Sequence, residues 1–137
     1  ANRFIVVYTG KSHHSGINNW QVLKKFIEGD KHTESALVKI AEVAEDMKQV
    51  CLQQQWKKIP ELFAREFEAR LMLAESFMSD EIAKLKTISE RAGAEGLKIC
   101  GAGGGGCVVL WTTPEKQASL REEIQQRGFQ VLNTQPV

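Results

Sequence analysis

Two stretches of this sequence combine residue types and spacings suited to holding a phosphate. The first is Gly101-Ala102-Gly103-Gly104-Gly105-Gly106, flanked by Lys98-Ile99-Cys100 and by Cys107-Val108-Val109-Leu110-Trp111. Glycine costs backbone entropy in any ordered structure, so a cluster this dense needs a reason. One reason is a reversal between two strands that requires positive φ. The other is close approach of bare backbone N–H groups to a phosphate. The second stretch is Thr9-Gly10-Lys11-Ser12-His13-His14-Ser15, which leads from an apolar run into a helix start. Free N–H groups, the helix dipole and the Lys11 ammonium make such a place attractive to anions. Its bland alternative is a solvated cap, with Ser15 as N-cap and Lys11 and both histidines in water.

Two nucleotide motifs fail on context. Gly101, Gly103 and Gly106 satisfy G-x-G-x-x-G, but a dinucleotide loop opens a helix, with an acid about 20 residues on. Here the loop opens a β-branched run, and Gln125, Gln126 and Arg127 stand where the acid belongs. A Walker loop ends in Gly-Lys-Ser/Thr. Gly10-Lys11-Ser12 supplies that ending, but Ile5 stands where the first glycine is required. The sequence also lacks a Ser-His-Asp or Cys-His spacing for nucleophilic catalysis and a C-x-x-C or H-x-x-x-H spacing for a metal, so no catalytic residue and no metal ligand is assigned.

The elements that position these loops follow from periodicity. Phe4 to Thr9 reads as a buried strand. A helix runs from a Ser15 cap to about Glu28, with Ile17, Trp20, Leu23 and Ile27 at helical spacing. A second, capped by Thr33, runs to about Gln54. A third begins at Pro60 and buries Phe63, Phe67, Leu71, Ala74 and Met78. A fourth starts at Ser79 and stops at Gly93. Leu97 to Cys100 and Cys107 to Thr112 are strands, a helix capped by Thr112 or Thr113 runs to Gly128, and Phe129 to Leu132 is a last strand. Without the extra helices the order is βαββαβ. The fold class is α+β: a ferredoxin-like four-stranded antiparallel sheet with three or four helices inserted after the first strand, stacked on one face. Glu61, Glu66 and Glu68 read as a solvated helix face, Lys98 as an exposed lysine at a strand end, and Trp20, Trp56 and Trp111 as core or domain-junction residues.

The 137 residues suit one domain. A formal net charge of +1 gives no broad field for nucleic acid or an anionic membrane. No apolar run reaches the roughly 20 residues of a membrane span, and Ala1-Asn2-Arg3 read as leading straight into a strand rather than into a signal-peptide h-region. The three cysteines read as reduced, mostly buried thiols, as in a cytoplasmic protein.

Lys98-Ile99-Cys100-Gly101-Ala102-Gly103-Gly104-Gly105-Gly106 resembles the third motif of the GHMP kinases, the galacto-, homoserine, mevalonate and phosphomevalonate kinase family. There a Lys-x-x-Gly-Ala-Gly-Gly-Gly-Gly segment joins two strands of the C-terminal domain. The order of elements around it is similar too, over nearly the whole chain. The resemblance implies that Gly101 to Gly106 lie against the phosphates of ATP, with Mg²⁺ bridging them. It implies that Thr9, Gly10, Lys11, Ser12 and Ser15 border a small-molecule substrate, as in the sugar and heptose-phosphate kinase branch. The family's main phosphate loop, Pro-x-x-x-Gly-Leu-Gly-Ser-Ser-Ala, and its hydroxyl-activating residue belong to an N-terminal domain that nothing here matches. The expectation is the C-terminal domain of a sugar or sugar-phosphate kinase, inactive alone and able to self-associate through the face meant for its missing partner domain. The alternative is a stand-alone ferredoxin-like regulatory or ligand-binding module.

Overall fold

Strand β1 (Phe4–Tyr8) pairs antiparallel with both neighbours, β3 (Cys107–Trp111) and β4 (Gln130–Leu132), and β2 (Gly96–Ile99) closes the other edge in the order β2-β3-β1-β4. The computed structural model describes residues 2–11, 15–101 and 103–134, without the side chains of residues 15–18. Its helices are α1 (Ser15–Ile27), α2 (Lys31–Leu52), α3 (Ile59–Leu73), α4 (Asp80–Arg91) and α5 (Pro114–Gln126). This is the expected α+β architecture, with four helices between β1 and β2.

Alternation along the strands sorts two faces. Ile5, Val7, Leu97, Ile99, Val108 and Leu110 point to the main core, where Phe67, Ile82, Leu85, Leu120 and Ile124 meet them. Burying each such side chain contributes about 1.5–3 kcal/mol. On the opposite face, Phe4 meets Trp111 edge-on, ring centroids 4.8 Å apart. A second cluster forms around Trp111 from Val43 and Val50 of α2 and Ile59, Leu62 and Phe63 of α3. The helices are therefore not confined to one face: α3 runs along the β2 edge and touches both clusters.

Three local readings need correction. The cap of α2 is Asp30, not Thr33: the Asp30 carboxylate accepts from the Thr33 N–H at 2.6 Å, and Thr33 itself is buried. The third helix stops at Leu73, although apolar spacing continues to Met78. Ala74 turns extended (φ −164°, ψ 132°), and a 3₁₀ turn at Glu75–Phe77 precedes the Ser79 cap of α4. Packing decides that break, since Leu73 and Phe77 both insert beside Ala36 of α2. The cysteines are free, but Cys51 is exposed and Cys100 and Cys107 are half-buried. Of the two threonines before α5, Thr113 occupies the cap position, while buried Thr112 donates to the Gly93 carbonyl at 2.9 Å.

Candidate functional site

The glycine segment leaves β2 and enters β3 where the two strands still pair, with the Cys100 N–H donating to the Cys107 carbonyl at 2.9 Å. All its described glycines have positive φ: Gly101 68°, Gly103 70°, Gly104 75°, Gly105 155° and Gly106 76°. A run of such values is open only to glycine without strain. It explains why glycine fills these places.

The loop is held at three points. Where the chain leaves β2, the Arg70 guanidinium of α3 donates to the Gly101 carbonyl at 2.8 Å. In the middle, the Gly104 N–H donates to the Phe77 carbonyl at 3.0 Å, and the Phe77 ring covers Gly103 so closely that a Cβ there would lie 2.5 Å from it. At the far end, the Thr9 N–H and hydroxyl both donate to the Gly106 carbonyl, at 2.9 and 3.0 Å, and the Gly106 N–H donates to the Lys11 carbonyl at 2.9 Å. The last contacts join the two candidate stretches. Thr9, Gly10 and Lys11 thus stand beside the glycine loop although nearly a hundred positions separate them in the chain. Ser12 and Ala102 lie outside the described residues, as do His13 and His14. Ser15 is the first residue of α1, and its side chain is outside the description.

No carbonyl of the described residues accepts from the N–H of Gly103 or Gly105, and both residues are buried. Lys11, whose carbonyl takes the Gly106 N–H, has its ammonium 3.4 Å from Glu81, and Arg70, bonded to the Gly101 carbonyl, belongs to an Arg70–Glu66–Lys98 group. Glu81 is held below the usual carboxylate range, chiefly by its own backbone N–H at the start of α4, then by the Ser79 hydroxyl and by Lys11. Burial pushes the Cys100 thiol up, and neighbouring Cys107 adds to the shift. Among the described residues no three His, Cys, Asp or Glu side chains gather as a metal cage.

The structure also brings Glu66, Arg70 and Phe77 to the candidate site, which residue types and spacing alone do not. Glu66 is not on a solvated face. It is buried, bonded to Arg70 and, at 2.9 Å, to Lys98. Lys98 is correspondingly half-buried and ion-paired, not a free strand-end lysine. The signal existed: Glu66 lies between Phe63 and Phe67 on the apolar stripe of α3, four residues before an arginine. A carboxylate inside such a stripe requires a cation. Phe77 had no signal, because it depends on the break at Ala74.

The family model described as GHMP kinases C terminal matches residues 57–130, which is more than half of the chain and includes the glycine loop. A probable glucuronokinase 2 from Arabidopsis thaliana is 25% identical over 125 residues, covering 90% of this chain and 34% of that protein. Among solved structures, the Streptococcus pneumoniae phosphomevalonate kinase in complex with phosphomevalonate and AMPPNP superposes with a TM-score of 0.80 at 19% identity, over 98% of this chain and 39% of its own. The L. major mevalonate kinase with R-mevalonate gives 0.77 at 15% identity, over 90% and 38%. The Lin0012 protein from Listeria innocua gives 0.70 at 26% identity, over 94% and 38%. The chain thus spans between a third and two fifths of the length of these relatives. By sequence, by fold and by the segment that carries the loop, the chain belongs to the GHMP kinase C-terminal family.

Proposed function

We propose that this chain is the C-terminal portion of an ATP-dependent kinase that phosphorylates a hydroxyl of a small molecule, a sugar or sugar phosphate. The observation that carries the reading is the run of positive φ from Gly103 to Gly106, in which the N–H groups of Gly103 and Gly105 meet no carbonyl among the described residues. Charge on a transferring phosphoryl group spreads over its outer oxygens, and fixed donors aimed at it stabilise the transition state without reorganising. A glucuronokinase relative and a phosphomevalonate kinase neighbour solved with an ATP analogue agree with that chemistry.

In this reading ATP supplies the phosphoryl group, and Mg²⁺ bridges and neutralises its phosphates. The chain's own part is to present the Gly103 and Gly105 N–H groups to the phosphoryl oxygens. The segment Thr9 to Ser15 forms the adjoining wall, with Lys11 as its cation. The principal phosphate loop and the group that activates the substrate hydroxyl belong to a partner domain, which occupies the rest of the relatives' length.

The test replaces Gly104 by Val in the two-domain kinase and reads kcat and melting temperature on the same samples. A Cβ at φ 75° displaces the neighbouring donors. Loss of one such donor lowers kcat by on the order of 100-fold or more. A variant that folds and turns over normally returns the loop to a plain strand connection.

A further inference from the structure

We propose that Arg70, oriented by Glu66, is a positioning residue that sets the shape of the glycine loop. Its planar guanidinium faces three ways. Nε and Nη2 both donate to Glu66 Oε1, the first at 3.0 Å. Nη1 donates to the Gly101 carbonyl at 2.8 Å. Its Cζ lies over the Phe77 ring, 5.8 Å from the centroid. Phe77 in turn covers Gly103 and takes the Gly104 N–H. One side chain therefore governs two of the three points that hold the loop, and the third is the separate Thr9–Gly106–Lys11 contact.

The electrostatics fit a positioning role better than a stabilising one. The Glu66 side chain is only 8% exposed. Taking a carboxylate and its partner cations out of water costs several kcal/mol per ion, and the attraction between them seldom returns more than that. Both cations bind the same oxygen, Oε1, and Oε2 is left buried without a partner. A half-satisfied buried group is a poor source of stability. It is a good orienter, because Oε1 fixes the plane of the guanidinium and hence the direction of Nη1. Lys98 comes from β2, the strand that leads into the loop, so Glu66 also ties that strand to α3.

Lysine keeps the charge of arginine but not its fork. One ammonium on a flexible stem does not span a carboxylate and a carbonyl in one plane. Arg70→Lys therefore separates geometry from charge. The effect on catalysis rests on the phosphoryl-loop reading above, whereas the loop geometry is tested without it.

The experiment is amide hydrogen exchange by NMR on the 137-residue chain and its variants Arg70→Lys, Arg70→Met and Glu66→Gln. The Gly104 amide, bonded to Phe77, reports the middle of the loop, and the Cys100 amide, bonded to Cys107, reports the strands. A hydrogen bond to a charged group is worth about 1.5–3 kcal/mol, so Gly104 exchange rises roughly 10- to 100-fold in both Arg70 variants. Cys100 exchange stays at wild type, and Glu66→Gln falls between. The proposal is overturned if Arg70→Lys protects Gly104 as well as arginine does. It is also overturned if Gly104 and Cys100 accelerate together, which would mark general destabilisation. Should Arg70→Met fail to fold, Arg70→Lys and Glu66→Gln decide. In the two-domain kinase, a loosened loop with unchanged kcat would overturn the phosphoryl-loop reading and leave the positioning role standing.

Discussion

Gly103 lies directly under Phe77: a Cβ added at Gly103 would fall 2.5 Å from Cδ1 of the ring and 3.0 Å from its Cβ. The loop is thus closed on one side by an aromatic side chain from a turn between helices. Gly103→Ala meets this contact and also has to adopt φ 70°. The backbone part alone costs about 1–2 kcal/mol. The melting temperature of Gly103→Ala should fall by several degrees, and the penalty should shrink in a Phe77→Leu background. Equal penalties in both backgrounds, read as a double-mutant cycle by thermal melts, would show that the ring does not press on the loop.

The Asp30 cap gives α2 a pH dependence with a definite sign. The carboxyl is held below its ordinary value, first by the Thr33 N–H and then by the Thr33 hydroxyl. The folded chain therefore prefers the charged form. Its contribution is complete above the ordinary aspartate value of about 3.9 and is lost as pH falls through the lower folded value. Asparagine caps helices about as well and does not titrate. Wild type should out-melt Asp30→Asn at neutral pH by a margin that closes as pH falls below the ordinary aspartate value. A margin constant from neutral pH downward would refute the cap's titration.

Much of the fold was legible because its elements declare themselves locally. Gly29, Gly93 and Gly128 follow helices, Pro60 and Pro114 open them, and β-branched runs make β1 and β3. The glycine loop was legible for the same reason: only backbone demands explain such a string. Partners from other elements were not. Thr33 resembles a cap, but Asp30, three residues earlier, takes that role by reaching the Thr33 N–H. Ala74 has no intrinsic reason to leave the helix, and the burial of Leu73 and Phe77 forces it to. Glu66 resembles its neighbours Glu61 and Glu68 in composition. Only the packing of α3 against the β2 edge places it inside and brings Lys98 to it.

The half-buried thiols flanking the loop give a third prediction. The thiolate is the nucleophile, and burial together with Cys107 disfavours it at Cys100. Cys51 lies exposed on α2. At pH ~8, iodoacetamide should label Cys51 well before Cys100, whose rate should keep climbing above the ordinary thiol value of about 8.5. Peptide mass mapping over time reads the order. Labelling of Cys100 at the rate of Cys51 would mean that the strand ends open freely in solution.

Helix α1 carries the fourth. Trp20, Leu23 and Ile27 share one face by their spacing, yet they are 62%, 48% and 71% exposed. The helix docks through Val22, which packs beside Ala36, Leu73 and Phe77. Its apolar stripe therefore points away from the chain's own core, and exposed Val38 of α2 adds to the apolar surface. Stripes of this kind mark contact with a partner. A domain contact typically covers roughly 600–1,500 Å². If this face is where the rest of a longer kinase rests, the isolated chain should bind a hydrophobic dye or self-associate as its concentration rises. The double variant Trp20→Ser, Ile27→Ser should lose that behaviour. It should keep its melting temperature, because neither side chain is buried in the chain's own core. Light scattering and dye fluorescence on matched samples decide the matter. A wild-type chain that stays monomeric and dye-free at high concentration would mean that the stripe serves no docking role. A double variant that melts much lower would mean that these residues stabilise α1 itself.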